Sequence, residues 1–167
     1  MNRKLTALEV VGMAIRSEED AAKFYGHISK MIANEVVRTK YENLAKEEVN
    51  HKKMLMDLQK NLSGTEAKFP RIPGNPETAE GSAIPEEITD SLEELLKLAI
   101  KREEKAKNFY RKAAAETADP SGERILHYLA DVEQGHELML KKELEAYLRD
   151  VEWYVHQETP EMVHAGP

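Results

Sequence analysis

The sequence predicts an all-α protein: a four-helix bundle made of two duplicated helical hairpins with one long central crossover. Three observations carry that expectation. Four segments of the 167-residue chain repeat apolar residues at alternating steps of three and four, the seam of helices packed at a shallow angle. The connections within each pair of segments are short, whereas the connection between the pairs is long. Finally, the second pair repeats the first at a fixed offset of 85 residues.

The first helix is expected from about Thr6 to Ala33, with Leu8, Val11, Ile15, Glu18, Ala22, Tyr25, Ser29 and Ile32 along its inner stripe. Thr6 with Glu9 forms a capping box at its start. The second runs from about Glu35 to Leu62 through Val37, Tyr41, Leu44, Glu48, His51, Leu55, Leu58 and Leu62. Asn34 leaves little room between the two, so they should be antiparallel neighbours. The third is expected from about Asp90 to Thr117, with Leu92, Leu96, Ala99, Glu103, Ala106, Tyr110 and Ala113 inward. The fourth runs from about Ser121 to Asp150 through Leu126, Leu129, Glu133, His136, Leu140 and Tyr147. Pro120 and Gly122 punctuate the turn between them.

Residues 63–88 hold four prolines and three glycines and read as a crossover able to span the bundle; a flexible linker between two hairpins is the alternative. The bundle is expected over residues 1–150. Residues 151–167 form a tail in which Trp153 and Tyr154 suggest docking, either on this chain or on a partner.

Bulk properties narrow the function. A net charge of −7 argues against general nucleic-acid binding, which needs a basic surface. No window approaches the roughly 18 apolar residues of a membrane span, and no signal peptide is apparent. The chain has no cysteine, which excludes disulfides, thiolate nucleophiles and Cys-ligated metal within it. A cytoplasmic location is expected.

Chemistry enters through Glu-x-x-His. The chain holds 25 Glu and six His, so about one such match is expected by chance. There are three: Glu48/His51, Glu133/His136 and Glu161/His164. The last follows Pro160 outside any helical stripe and reads as the chance one. The repeat distinguishes the other two. Sliding the chain by 85 residues lays IRSEEDAAKFY (15–25) over IKREEKAKNFY (100–110) and LAKEEVNHKKML (44–55) over LADVEQGHELML (129–140). Glu18 then falls on Glu103, Tyr25 on Tyr110, Glu48 on Glu133 and His51 on His136.

All four repeated Glu fall in the apolar seam, where an unpaired carboxylate is costly. No comparable run of Lys or Arg accompanies them. Two divalent cations would neutralise four carboxylates, and two neutral imidazoles would complete their coordination. One Glu from each of two helices, with Glu-x-x-His from each of the other two, is the donor set of di-iron and di-manganese carboxylate bundles. The adjacent Glu19, Glu47 and Glu104 would compete for these positions if the helical phase were off by one. Tyr25 and Tyr110 lie two turns beyond Glu18 and Glu103, either donating to a ligand carboxylate or simply packing. Met54 and Met139 read as core; His27, His127, His156 and His164 read as surface.

On EEDAAKFY with EEVNH, and EEKAKNFY with VEQGH, the chain resembles the ferritin-like superfamily and, within it, the rubrerythrin-type di-iron proteins. The resemblance implies two irons, with manganese as an alternative, held by Glu18, Glu48, His51, Glu103, Glu133 and His136. It implies Glu48 and Glu133 as bridges, and Tyr25 and Tyr110 as hydrogen-bond donors to ligand carboxylates. It also implies an oxidoreductase that reduces hydrogen peroxide or dioxygen, in a homodimer or larger homo-oligomer. Lacking the four cysteines of a rubredoxin domain, the chain would draw electrons from a separate protein such as a rubredoxin. Ala106 stands where rubrerythrins carry an extra Glu, leaving a symmetric four-Glu, two-His set closer to the bacterioferritin pattern. Ferroxidase with iron storage or delivery, di-manganese catalase and a non-catalytic helical scaffold are the alternative readings.

Overall fold

The computed structural model describes residues 7–63, 91–117 and 119–155. Among them the chain forms α1 (Ala7–Met31), α2 (Glu35–Ser63), α3 (Leu92–Glu116), α4 (Pro120–Arg149) and the short α5 (Val151–Val155). No strand occurs among the described residues, and no helix is long and apolar enough to cross a membrane. The expected helix ends agree to within about two residues.

Caps fix where the helices begin. Asn34 closes the short turn after α1: its Oδ1 accepts from the Val36 and Val37 N–H at 3.0 and 3.2 Å. Ser91 Oγ accepts from Glu94 N–H at 3.3 Å at the start of α3. The fourth helix begins earlier than the expected Ser121. Asp119 is its N-cap, accepting from Gly122 N–H at 2.5 Å, with Pro120 in the first turn. Asp caps as well as Ser, and a cap at Asp119 puts Pro120 in the first turn, where no N–H is needed. Gly122 also leaves room for the cap, since a Cβ there would approach Asp119 Oδ2 to 3.1 Å. The expected capping residue Thr6 lies outside the described residues.

The helices pair as α1 with α2 and α3 with α4, and the hairpins meet along α1/α3 and α2/α4. The core comprises two apolar clusters. One gathers Phe24, Tyr25 and Ile28 with Val37, Tyr41, Leu44, Leu92, Leu95, Leu96, Ala99 and Leu140. The other gathers Val11, Ala14 and Ile15 with Leu55, Leu58, Tyr110, Ala113, Leu126 and Leu129. Both α2 and α3 run from the first cluster towards the second. Ser63 and Ser91 therefore lie at opposite ends of the bundle. The expected crossover itself, apart from Ser63, lies outside the described residues.

Between the two clusters, by position on every long helix, come Glu18, Glu48, His51, Glu103, Glu133 and His136, all buried. Two further acids, Glu137 and Glu143, are buried without having been expected from the sequence. Each has a lysine: Lys107 and Lys141 hold Glu137, and Lys40 holds Glu143.

The beginning of the tail docks on this chain. Tyr154 is buried in the first cluster and donates to Glu143 Oε2 at 2.6 Å. The Trp153 carbonyl accepts from Asn34 Nδ2 at 3.2 Å. Asn34 thus starts α2 with its oxygen and anchors α5 with its nitrogen. Replacing it with Ala should cost about 1 kcal/mol of stability through the lost cap, measured by urea denaturation. Asn34→Asp keeps the acceptor and loses the donor. It should retain most of the stability while making Trp153, the sole tryptophan, more accessible to a fluorescence quencher.

Candidate metal centre

One turn of α2 carries Glu48 and His51 on the same face, and one turn of α4 carries Glu133 and His136. In each pair the imidazole Nδ1 lies 3.1 Å from a carboxylate oxygen of its own helix. The two rings stack, with centroids 5.9 Å apart. Glu18 enters from α1 and Glu103 from α3. The six sequence-predicted residues therefore converge in one buried layer. The competing neighbours stay out of the buried layer: Glu104 is exposed, half-exposed Glu19 is bound by Lys23 and Lys52 at 3.0 and 2.9 Å, and exposed Glu47 touches the layer only from outside, at His136 Nε2. His127 is exposed, whereas His27, expected at the surface, is half-buried. His156 and the Glu161/His164 pair lie outside the described residues.

The donor atoms form two overlapping groups, Glu18–Glu48–His51–Glu133 and Glu48–Glu103–Glu133–His136, each with its ligand atoms within 4.8 Å of one another. Glu48 and Glu133 belong to both. His51 Nδ1 lies 3.1 Å from Glu48, 3.4 Å from Glu18 and 3.5 Å from Glu133. His136 Nδ1 lies 3.1 Å from Glu133, 3.3 Å from Glu48 and 3.8 Å from Glu103. One N–H cannot satisfy three carboxylates. Accordingly Glu18 Oε2, Glu48 Oε1 and Glu133 Oε1 are buried with no hydrogen bond. Orphaned carboxylate oxygens converging with imidazole nitrogens fit a pair of divalent cations better than they fit protons alone.

Around this layer the tyrosines do more than pack. Tyr25 on α1 donates to Glu103 Oε1 on α3, and Tyr110 on α3 donates to Glu18 Oε1 on α1. Each hydroxyl fixes the carboxylate of the opposite hairpin, not that of its own helix. Beside them, the Phe24–Tyr25 and Phe109–Tyr110 ring pairs repeat the same edge-on contact at 5.5 Å. Two polar neighbours escaped the sequence reading. Glu47 Oε2 meets His136 Nε2 at 2.8 Å, and the Arg102 guanidinium sits 4.6 Å from the Phe24 ring centroid. Both directly precede a repeated Glu, so comparing the two halves residue by residue could have singled them out.

Without metal, the layer balances its charge with protons. Burial pushes the Glu18 and Glu103 carboxyls well above the usual range, which favours their protonated forms. Burial acts the same way on Glu48 and Glu133, but the His136 and His51 imidazoles outweigh it and keep both ionised. Burial also opposes charge on the imidazoles. Glu133, Glu18 and Glu48 nevertheless push His51 up to about 12, and Glu103, Glu133 and Glu48 raise His136 likewise. Two carboxylates and two imidazolium ions cancel.

Comparison with known proteins follows the same lines. A family model described as Rubrerythrin matches residues 9–144. Among solved structures, a hypothetical protein from Pyrococcus furiosus shares 30% identity over 91% of this chain and 94% of its own, with a TM-score of 0.71. An uncharacterized conserved protein from Magnetospirillum magnetotacticum MS-1 is 22% identical over 85% of this chain and 95% of its own, with a TM-score of 0.65, and supports the fold alone. No curated protein matches the chain.

Two measurements test the centre. Filling it must displace the protons on Glu18, Glu103, His51 and His136, about four per ion pair. Affinity should therefore rise with pH and fall on acidification, and calorimetry in buffers of different ionisation enthalpy counts the protons. Chelation should lower the melting temperature of the wild type by the linked binding energy, about 2.7 kcal/mol where free metal stood at a hundred times Kd. The Glu48→Gln/Glu133→Gln double variant should melt at one temperature with and without chelator.

Proposed function

Because the chain belongs to the rubrerythrin family, we propose that it is a di-iron redox protein that reduces hydrogen peroxide or dioxygen with electrons from a separate donor protein. The observation that carries this reading is the pair of overlapping four-residue groups sharing Glu48 and Glu133. A pair of ferrous ions bound there supplies two electrons, the number that with two protons takes one peroxide to two waters.

The chain's own residues set the conditions for that chemistry. Glu48 and Glu133 belong to both groups and would serve both ions; Glu18 and His51 would hold one ion, and Glu103 and His136 the other. Tyr110 and Tyr25 occupy one oxygen of Glu18 and Glu103, which leaves the second oxygen of each to turn inward. The apolar clusters on either side exclude water along the bundle axis, so charge in the layer is answered only by these groups. With no cysteine in the chain, a thiolate-ligated electron donor belongs to a partner, a rubredoxin-like protein being the natural class.

Ala106 favours a second reading. It is half-buried against the second apolar cluster, and its counterpart in the repeat is Ala21. The carboxylate set is therefore the same on both hairpins, as suits a ferroxidase that passes iron through. The ligand types alone also admit manganese.

Reduced, iron-loaded protein mixed anaerobically with peroxide should be oxidised at about one peroxide per ion pair, seen as growth of ferric absorbance. No absorbance change would overturn the peroxidase reading. Continued oxidation of many ferrous ions per chain, with ferric mineral retained in a shell-like particle on size exclusion, would establish iron storage instead.

A further inference from the structure

The six inner donors match one for one across the repeat, but the residue that meets the outer nitrogen of His136 has no polar counterpart. Nε2 of His136 lies 2.8 Å from Oε2 of Glu47, the residue before Glu48 on α2. Sliding by 85 residues places Val132, the residue before Glu133 on α4, over Glu47. A valine side chain accepts no hydrogen bond, so position 132 cannot serve His51 as position 47 serves His136. The inner donor set is otherwise paired one for one: Glu18 with Glu103, Glu48 with Glu133 and His51 with His136.

We infer that Glu47 is a positioning residue that makes the two metal positions unequal, the one served by His136 binding its ion more tightly and filling first. The inference rests on reading the six residues as a metal-pair site. Nδ1 of His136 faces Glu133 and Glu48 at 3.1 and 3.3 Å. A metal takes that nitrogen without its proton, so the ring proton belongs on Nε2 and is donated to Glu47. The bond fixes the tautomer and the ring orientation, and the carboxylate makes Nδ1 a stronger donor to the ion. The Glu47 side chain is 53% exposed and reaches the ring from outside the buried layer. His51 has the same inward geometry, with Nδ1 3.1 Å from Glu48, but a hydrocarbon side chain at the matching outer position.

The test is an anaerobic Co²⁺ titration followed by the visible absorption of the bound ion, which needs no turnover. The wild type should bind in two phases separated by about 10–100-fold, the usual effect of a partner on a ligating His. Glu47→Val, which makes position 47 like position 132, should weaken the tight phase until the two merge and leave the weak phase in place. Val132→Glu should do the reverse, tightening the weak phase towards the other. Because Glu47 is exposed, its substitution leaves the metal-free fold intact, checked by an unchanged melting temperature under chelator. A single-phase wild type, two phases that Glu47→Val leaves unmoved, or equal weakening of both phases each overturns the inference. Failure to bind Co²⁺ at all overturns the metal centre itself, and the inference with it.

Discussion

The bundle is organised around one electrostatic constraint: four carboxyl groups and two imidazoles held in a single layer out of water. A buried carboxylate costs several kcal/mol unless something neutralises it. Among the described residues no lysine or arginine forms an ion pair with these groups. It is held at the centre of the bundle by the apolar clusters above and below it and by tyrosines that tie each hairpin to the other. Protons can balance the charge, but they leave carboxylate oxygens without partners. Divalent ions can balance it and use those oxygens.

Glu137 and Glu143 show how the same protein treats a buried acid with a structural role. Each lies against a lysine, and Glu143 also accepts from Tyr154. Their charge is settled by one or two local contacts. The six repeated residues differ in kind: their polar contacts are one another, two tyrosine hydroxyls and Glu47, none of them a cation from Lys or Arg. That contrast separates acids that hold the bundle together from acids that await a cation.

Duplication explains much of the arrangement, and the departures from it locate where the halves have diverged. The repeated Glu, His, Tyr and Phe keep their contacts in both halves. The flanking ion pairs differ: Glu19 on α1 meets Lys52 on α2, whereas Glu137, the counterpart of Lys52, meets Lys107 on α3. Either order joins the two helices of a hairpin equally well, so drift there is free. At Glu47 and Val132 it is not, because one of those side chains touches a ring of the centre.

The sequence by itself determined the four long helices, their seams and the identity of the six repeated polar residues in the central layer. Burial repeats every three to four residues on a helix, so the stripe containing Glu18, Glu48, Glu103 and Glu133 also fixed their phase against exposed Glu47 and Glu104. It determined the equivalence of the two hairpins through a single offset. Only the tertiary structure decided what depends on distance between helices. Tyr25 reaches Glu103 and not Glu18. Glu47 reaches His136 across 89 residues. Asn34 holds the Trp153 carbonyl across 119, which settles that the start of the tail docks on this chain. The fourth helix starts at Pro120 rather than Ser121 because Asp119 caps it, which only the backbone geometry decides. Periodicity assigns each side chain a face of its own helix; which atoms meet across the bundle follows from how four such faces pack together.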